Sequence, residues 1–475
     1  METKVSARTP GTYSESVDKD YFQKRQLKKG AAGWILLVGL GVSYVISGDY
    51  AGWNFGLAYG GWGGMFLAFL LMGVLYLCLC FSLAELSSMI PTAGGGYGFA
   101  RVAFGPWGGF LTGTAILIEY AIAPAAIAVF IGAYWESLFG VGGWLIYLSA
   151  YCIFIGIHLY GVNEALKLMF AITTIAIIAL IVFIVAMLPY FNIHNLFDIP
   201  MTNASGASTF LPFGYLGIGA AIPYAMWFFL AVEGIALAAE ETKNPQQDIP
   251  RGFIGAMIIL FVFAALILIT GSGGAGSIIL MASANPLVTA LNQAYGHWTW
   301  MTSFVNFVGL AGLIASFFSI IYAYSRQIFA LSRAGYLPRL LSLTNEQKAP
   351  VLALCIPGLI GFALSLSGQG DLLILIAVFG ATLSYIFMMA AHIALRINEP
   401  GIVRTYRTPG GIFTSGLALI LACIALIAGF LVNPYALIGV IIIYAIFIAY
   451  FYFFSRHHLV SGTPEEEFAV RLKTL

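Results

Sequence analysis

The stretch ISGDYAGWN, residues 46–54, lies inside the first long apolar run of this 475-residue chain, residues 32–57. It places an acid, Asp49, between two glycines, Gly48 and Gly52, which allow the backbone to leave helical geometry. An ionisable side chain at the centre of a membrane helix costs about 2.5–3.5 kcal/mol or more, and non-helical backbone at that depth is tolerated only where it lines a cavity or is buried in protein. The stretch therefore predicts an interrupted membrane helix with an acid at its break.

The composition of the chain is that of an integral membrane protein. Hydrophobic residues make up 60% of it, charged residues only 9%, and the mean hydropathy is +0.93, whereas soluble domains carry about 25% charged residues. A bilayer core about 30 Å thick needs about 20 apolar residues per helix, and such runs follow one another from end to end. They predict an all-α polytopic membrane protein with twelve transmembrane helices, at residues 32–57, 62–90, 106–138, 143–160, 164–190, 212–238, 250–275, 297–333, 350–367, 370–395, 413–433 and 434–455. Runs of helical length exclude a membrane β-barrel, whose strands are short alternating segments.

The basic residues support this count. Lys and Arg mark the cytoplasmic loops of membrane proteins, and all 21 of them fall on one side of the twelve spans. Both chain ends are therefore predicted to be cytoplasmic. The predicted organisation is a tail at residues 1–30, a transporter-like core at 31–400, two additional C-terminal helices at 401–456 and a second tail at 457–475.

A second interrupted span is predicted at residues 223–234, PYAMWFFLAVEG, which again combines aromatic residues, an acid and a glycine. It lies in the sixth span, five spans after the first break. That spacing fits two inverted repeats of five helices, at about residues 31–190 and 212–396. The alternative interpretation, a kink with a packing role only, stays open for each break taken alone.

Three longer motifs follow the breaks: AELSSMIPTAGGGYGFARVAFGPWGGF at residues 84–110, AAEETKNPQQDIPRG at 238–252 and SRQIFALSRAGYLP at 325–338. They resemble signature motifs of the amino acid–polyamine–organocation (APC) transporters, and the resemblance extends from about residue 30 to 400. Within that superfamily, SGDYAGWNFG at residues 47–56 is most similar to the ethanolamine permease branch. The resemblance implies a LeuT-like five-plus-five inverted repeat, with broken helices one and six, a central site between spans one, three, six and eight, and alternating access.

Asp49 stands where amino acid carriers of that superfamily have glycine, whose backbone N–H groups and helix dipole bind a substrate carboxylate. A carboxylate here would repel another, so the resemblance implies a substrate that is a cation without a carboxylate, such as ethanolamine. Glu119 lies on the face of span three that lines the site in relatives, and it is predicted to hold the ammonium group together with Asp49; the alternative is a protonated acid bonded to a helix carbonyl. Trp227 aligns with the aromatic lid of the sixth helix, whose face can add about 0.5–2 kcal/mol of cation–π attraction. Further candidates for substrate contact are Ser47, Gly48, Tyr120, Phe228 and Phe229.

Three residues are candidates for gating or coupling. Glu233 matches an acid of the family's sixth helix and is expected either to hydrogen-bond the unwound backbone or to relay protons. Ser316 and Ser319 lie on one face of span eight, where relatives that use sodium place hydroxyl ligands, although serines on a helix more often bond their own carbonyls. The expected driving ion is a proton, with sodium as the alternative. No metal site, catalytic residue or other cofactor is predicted.

The sequence as a whole predicts a secondary active transporter that imports ethanolamine or a similar small organic cation across a bacterial plasma membrane. An amino acid or polyamine transporter of the same superfamily is the alternative, and a membrane sensor or channel is a more distant one. An enzyme is not predicted, because no nucleophile–base grouping, metal-ligand spacing or nucleotide loop is present. The expected partners are the small cation and the lipid bilayer, with no nucleic acid.

Overall fold

The computed structural model describes residues 4–6, 12–15, 17, 19–25, 27, 30, 32–160, 162–296, 300–464 and 466–467. Parts of the predicted tails lie outside the described residues, including the basic residues Arg8, Lys28, Lys29, Arg471 and Lys473. Residues 297–299, at the predicted start of span eight, also lie outside them.

The helices follow the apolar runs of the sequence. The α-helices are α1 Lys19–Gln23, α2 Trp34–Val45, α3 Ser47–Tyr50, α4 Phe55–Met89, α5 Gly96–Phe139, α6 Trp144–Tyr160, α7 Val162–Met187, α8 Ile193–Leu196, α9 Gly214–Trp227, α10 Pro245–Ala275, α11 Ser277–Leu280, α12 Pro286–Tyr295, α13 Trp300–Arg333, α14 Val351–Ser365, α15 Gly370–Asn398, α16 Ile412–Val432 and α17 Pro434–Phe453. Four 3-10 helices lie at Leu188–Tyr190, Val232–Glu241, Arg339–Ser342 and Ser455–His457. The strands are β1 Lys4–Ser6, β2 Tyr13–Glu15 and β3 Leu459–Val460.

Among the described residues, nine helices are long and apolar enough to cross a membrane, and three shorter apolar stretches lie at Trp34–Tyr50, Trp144–Tyr160 and Val351–Ser365. The prediction of an all-α polytopic membrane protein is therefore confirmed. The predicted starts of spans two and three, residues 62 and 106, coincide with kinks at Gly61 and Gly105 inside α4 and α5. The short helices α8, α11 and α12 were not predicted, because helices of this length leave no membrane-length apolar run.

Helix α5 occupies the middle of the helical bundle. It packs along α13, α14 and α15, while α4 packs along α9 and α10. A single large cluster of buried apolar side chains extends through these helices. Side chains on the inner faces of these helices are therefore shielded from lipid by their neighbours.

The two tails join in a small sheet that the sequence did not predict. Strand β1 pairs with β2 in antiparallel orientation, and β2 pairs with β3 in parallel orientation. The Arg339 guanidinium donates to the Glu15 carboxylate over 2.6 Å, and Arg101 at the start of α5 forms a two-pronged ion pair with Glu466. We call β1, β2, β3 and these two ion pairs the tail clamp. It ties both tails to the ends of α5 and α13.

Further ion pairs gather on the same side of the molecule. Glu85, near the end of α4, accepts from Arg404 over 3.0 Å and also pairs with Arg396 at the end of α15. The Arg333 guanidinium, at the end of α13, donates to Glu240 over 2.6 Å. These contacts bring the loops after predicted spans two, six, eight and ten together with both tails. We call this side the basic face.

Candidate functional site

The first predicted interruption is present. Helix α2 ends at Val45, α3 adds one turn, and residues 51–54 form a turn before α4 begins. Ala51 is extended (φ −159°, ψ 157°), and Gly52 has a φ of +98°, a conformation that side chains disfavour. A Cβ at Gly52 would also lie 2.7 Å from the indole nitrogen of Trp227. The break therefore needs glycine at position 52, and Asp49 lies in the turn just before it.

The sixth-span interruption is also present. Helix α9 ends at Trp227, and residues 228–231 separate it from the 3-10 helix Val232–Glu241. Ala231 takes a left-handed conformation with a φ of +74°, which costs a non-glycine residue about 1–3 kcal/mol. Packing from the surrounding helices has to hold it there, so the break is part of the folded architecture.

The two interruptions touch each other. A Cβ on Gly48 would lie 2.5 Å from the carbonyl oxygen of Trp227 and 3.1 Å from the Cα of Phe228, which shows that the backbones are in direct contact. The Nε1–H of Trp227 donates to the carbonyl of Ala51 over 3.0 Å. The breaks in the first and sixth spans therefore form one buried centre.

Asp49 is an unpaired acid at this centre. It is 1% exposed, and its Oδ1 has no hydrogen-bond partner among the described residues. No ion pair joins its carboxylate to a Lys, Arg or His side chain in the described part of the chain. Because burying an uncompensated charge costs several kcal/mol, an acid in this position is suited to a cation that arrives from outside the protein.

A narrow cavity lies beside the two breaks. Its lining residues are Tyr44, Val45, Ser47, Trp227, Leu230 and Ile320. The cavity is too narrow to admit a water molecule, so the centre is closed in this conformation. The Tyr44 hydroxyl is buried there without a hydrogen-bond partner among the described residues. Two of the predicted substrate contacts, Ser47 and Trp227, thus lie at one cavity.

Glu119 and Glu233 form a second acidic group. Both are buried, at 0% and 4% exposed, and they lie close enough for their charges to interact, although no hydrogen bond joins their carboxyl groups in the described part of the chain. The Tyr120 hydroxyl donates to Glu233 Oε1 over 2.6 Å, and the Tyr385 hydroxyl donates to Oε2 over 2.9 Å. The Ala231 N–H lies near Glu119, yet neither oxygen of Glu119 has a well-aligned hydrogen-bond partner in the described part of the chain. We call Glu119 and Glu233 the acid pair.

The surroundings of the acid pair disfavour two negative charges. Two ionised carboxyl groups that are buried side by side repel each other, and burial disfavours the charged form of each. The titratable side chains that face the pair from the neighbouring helices are neutral or weakly acidic, and the described residues place no base among them. They are Tyr44, Tyr76, Cys80, Tyr120 and Tyr385. Two neighbouring carboxyl groups in such a site do not both ionise. The pair therefore carries at most one negative charge.

Ser316 and Ser319 fasten α13 to α2 and α3. The Ser316 hydroxyl accepts from the N–H of Ser47 over 2.8 Å and donates to the carbonyl of Ser43 over 2.7 Å. The Ser319 hydroxyl lies 2.6 Å from the Ser43 hydroxyl and donates to the carbonyl of Ala315. An ion bound to these hydroxyls would have to compete with bonds that already join the helices.

The structure separates the remaining predicted contacts. Phe229 lies in an aromatic cluster between α4 and α10, with ring centroids 5.7 Å from Phe69 and 5.3 Å from Tyr76. The Tyr120 hydroxyl already donates its hydrogen bond to Glu233. Glu119 lies beside Glu233, and it forms no hydrogen bond with Asp49 in the described part of the chain. The predicted residues therefore form two neighbouring sites rather than one.

Sequence analysis missed a fully buried ion pair next to the centre. The Arg326 guanidinium donates to Glu241 Oε1 over 2.9 Å, at 2% and 0% side-chain exposure, and the Tyr322 hydroxyl donates to the other carboxylate oxygen. Both partners lie in the quoted motifs at residues 238–252 and 325–338, but sequence spacing cannot show that they meet. Because the guanidinium of Arg326 is paired with the carboxylate of Glu241, it does not neutralise Asp49 or the acid pair.

A multi-pass helical protein in which two interrupted helices meet at buried, unpaired acids is a membrane transporter. Comparison with known proteins gives the kind of transporter. Residues 33–454 match the family model described as amino acid permease, and the chain belongs to this family of the APC superfamily.

Several characterised and uncharacterised transporters are similar over most of their length. An uncharacterised transporter of Rhizobium meliloti (strain 1021) is 28% identical over 402 residues, which cover 82% of this chain and 85% of that protein. A branched-chain amino acid permease of Bacillus subtilis (strain 168) is 26% identical, with coverage of 77% and 80%, and a methylthioribose transporter of the same strain is 25% identical, with coverage of 78% and 81%. The family and these relatives are transporters, not enzymes.

Proposed function

We propose that this chain transports ethanolamine or a similar small organic cation that lacks a carboxylate. The observation that carries the proposal is Asp49, a buried acid without a basic partner among the described residues, set in the first interruption against the sixth. Its carboxylate would accept charge-assisted hydrogen bonds from the substrate ammonium group. The ring of Trp227 would add cation–π attraction, and Trp227 and Ser47 line the narrow cavity beside the two breaks.

The backbone of the first interruption supports a cation rather than a carboxylate. An amino acid would need free N–H groups at residues 47–52 to bind its carboxylate. Four of these groups already have protein acceptors, namely those of Ser47, Asp49, Ala51 and Gly52. In this conformation the interruption therefore offers an acid and few free donors.

The coupling ion of the proposed transport is a proton held by the acid pair. Glu119 and Glu233 need one proton between them, and Ala231, in the strained break, lies two residues before Glu233. A change in the protonation of Glu233 would therefore act two residues from Ala231, at the interruption of the sixth span. The sequence predicts Glu119 as an ammonium ligand, but its position beside Glu233 favours this proton role. Sodium at Ser316 and Ser319 is the less supported alternative, because those hydroxyls are already used.

The proposed architecture has twelve spans, arranged as two inverted five-helix repeats and two further helices, in a bacterial plasma membrane with both tails in the cytoplasm. Each predicted span overlaps one of the nine long or three shorter apolar helices of the described residues. The joining of the tails to the loops after even-numbered spans supports a single cytoplasmic side. The closed cavity would open to each side in turn.

An amino acid permease is the second candidate. It is favoured by the family model, which is described as amino acid permease, and by the similarity to a branched-chain amino acid permease over 389 residues. A pocket for an amine and a pocket for an amino acid would differ by only a few contacts. The two candidates therefore need a direct test.

Uptake by purified protein in liposomes separates these candidates. We expect saturable uptake of labelled ethanolamine that unlabelled ethanolamine blocks, with little inhibition by alanine or putrescine. We expect the Asp49→Gly and Asp49→Asn variants to lose about tenfold or more of this uptake, because a charge-assisted hydrogen bond contributes about 1.5–3 kcal/mol. The control is Glu136→Gln, which removes an exposed acid at the end of α5.

Two outcomes would overturn the proposal. One is inhibition by alanine with no effect of ethanolamine, which would assign the chain to amino acids. The other is wild-type ethanolamine uptake in a folded Asp49→Gly variant, which would remove Asp49 from the site.

A further inference from the structure

An open pocket of about 360 Å³ lies on the side of the molecule opposite the basic face. Its lining residues are Tyr59, Tyr224, Gln369, Asp371, Leu372, Leu375, Val432 and Asn433. Helices α4 and α15 both run from this pocket to the basic face, where Glu85 and Arg396 lie near their far ends. On the proposed orientation the pocket therefore opens to the outside of the cell. We call it the outer pocket.

The chemistry of the outer pocket suits an organic cation. Asp371 supplies a carboxylate, and no Lys, Arg or His belongs to the described lining. The rings of Tyr59 and Tyr224 stack at 5.4 Å with an interplanar angle of 12°. An acid beside aromatic rings attracts ammonium groups, since charge and ring quadrupole act in the same direction.

A continuous row of aromatic rings leads from this pocket to the central cavity. Tyr224 contacts Phe55 at 6.3 Å between ring centroids, Phe55 contacts Phe130 at 6.2 Å, and Phe130 contacts Trp227 at 6.5 Å. Trp227 lines the closed central cavity. We call Tyr59, Tyr224, Phe55, Phe130 and Trp227 the aromatic row.

The start of α15 connects the pocket to this row. A Cβ on Gly370, the neighbour of Asp371, would lie 2.8 Å from the ring of Phe130. The start of α15, which carries Asp371, therefore packs directly against Phe130 of the aromatic row. Displacing Phe130 and Phe55 would open a passage between the outer pocket and Trp227.

We propose that the outer pocket is an entry site, which binds the ammonium group of the substrate through Asp371 and the faces of Tyr59 and Tyr224 before the cation passes along the aromatic row. The inference rests on the proposed function, because it takes the cargo to be an organic cation. A purely structural role exists for Asp371, since an acid in the first turn of a helix stabilises that helix. The two roles differ in their kinetic effects.

Initial rates of ethanolamine uptake into liposomes, measured over a range of concentrations and at two ionic strengths, distinguish them. We expect Asp371→Asn to raise KM about three- to tenfold, as for the loss of one ion pair of moderate exposure. Turnover at saturation should stay near the wild-type value, and added salt should reduce the difference, since salt screens exposed charges. Asp371→Glu should restore most of the low KM. Glu136→Gln is the matched control, because it removes another acid of the same side outside the outer pocket.

A second variant covers the case in which Asp371→Asn is unstable. Tyr59→Leu keeps the charge and removes one aromatic face, and it should raise KM in the same direction. Unchanged KM in both variants, or a fall in turnover at saturation with KM unchanged, would overturn the entry site. If wild-type protein transports no ethanolamine at all, the proposed function fails instead, so the two failures are distinguishable.

Discussion

Glu233 and Glu119 have different surroundings although they face each other. Two tyrosine hydroxyls, those of Tyr120 and Tyr385, donate to Glu233, whereas Glu119 has no well-aligned partner among the described residues. Hydrogen bonds from donors stabilise the charged form of a carboxylate. We therefore expect a proton on the acid pair to reside on Glu119, with the charge of a singly ionised pair on Glu233.

Replacing Glu119 by glutamine tests this assignment. Glu119→Gln keeps the shape of a protonated carboxyl group but cannot release a proton. We expect stimulation of ethanolamine uptake by an inward proton gradient to fall about tenfold or more, equivalent to about 1.4 kcal/mol. Exchange of labelled for unlabelled ethanolamine at equal pH should persist, because it needs no net proton movement.

The same two assays on Glu136→Gln provide the reference. Full stimulation by the proton gradient in Glu119→Gln would show that the acid pair does not couple transport. Loss of both activities, exchange and stimulation by the proton gradient, would instead place Glu119 at the substrate, as the sequence predicts.

At the scale of single residues, the sequence predicted three acids inside apolar runs, which the structure shows to be buried, but it did not predict their partners. Asp49, Glu119 and Glu233 stand out because charged residues are costly inside apolar runs. That Glu119 meets Glu233, and that Arg326 meets Glu241, depends on the packing of α5 and α13 against the segment after α9. No local spacing encodes such contacts, so they needed the structure.

At the scale of secondary-structure elements, the two helix breaks fit together through glycine. Because Gly48 has no side chain, α3 packs directly against the end of α9. Gly52 turns the chain with a φ of +98°, which residues with a side chain rarely adopt. The breaks were visible in the sequence because glycine and acid residues interrupt apolar runs. The strained residue of the sixth break, Ala231, gave no such signal, since alanine favours helices.

Alanine substitutions at the two glycines should show this requirement. In Gly48→Ala the new methyl group would meet the Trp227 carbonyl at 2.5 Å, and in Gly52→Ala it would require a φ near +98°. We expect both variants to lose ethanolamine uptake about fivefold or more. In Gly48→Ala the methyl group would push the two breaks apart, and in Gly52→Ala the strained backbone would cost about 1–3 kcal/mol. Initial uptake rates in liposomes, normalised to folded protein, give the measurement.

Gly156→Ala in α6 is the matched control. No atom lies within 4 Å of a Cβ at that position, so uptake should stay at the wild-type level. Wild-type uptake in Gly48→Ala would show that the two breaks separate without effect on transport.

At the scale of the whole molecule, the basic face combines loops and tails that are far apart in sequence. The sequence predicted their common side from the distribution of Lys and Arg, a pattern set by membrane insertion. It did not predict the tail clamp, because strands of two or three residues have no readable periodicity. It also left the tails as polar extensions, since ion pairs such as Arg101–Glu466 arise only from tertiary contact.

The Arg101–Glu466 pair should contribute to stability. Its two side chains are 11% and 12% exposed, and Arg101 donates through two nitrogens. Removing one partner of a buried pair typically costs about 3–5 kcal/mol, so Arg101→Gln should lower the thermal unfolding temperature in detergent clearly. The exposed pair Lys24–Asp20, at 61% and 62% exposure, is the control, and Lys24→Gln should change stability by about 0–1 kcal/mol. Equal shifts for the two variants would mean that the clamp adds nothing to stability.

The tail clamp also has a consequence for how the molecule is made. Strand β3 follows α17 in the chain, so β2 can gain its parallel partner only after α17 has left the ribosome and entered the membrane. Until then the ends of α5 and α13 are not fastened to each other through the tails. A newly made chain therefore spends its synthesis with an unsecured basic face, and the fastening of that face is complete only once synthesis has reached β3.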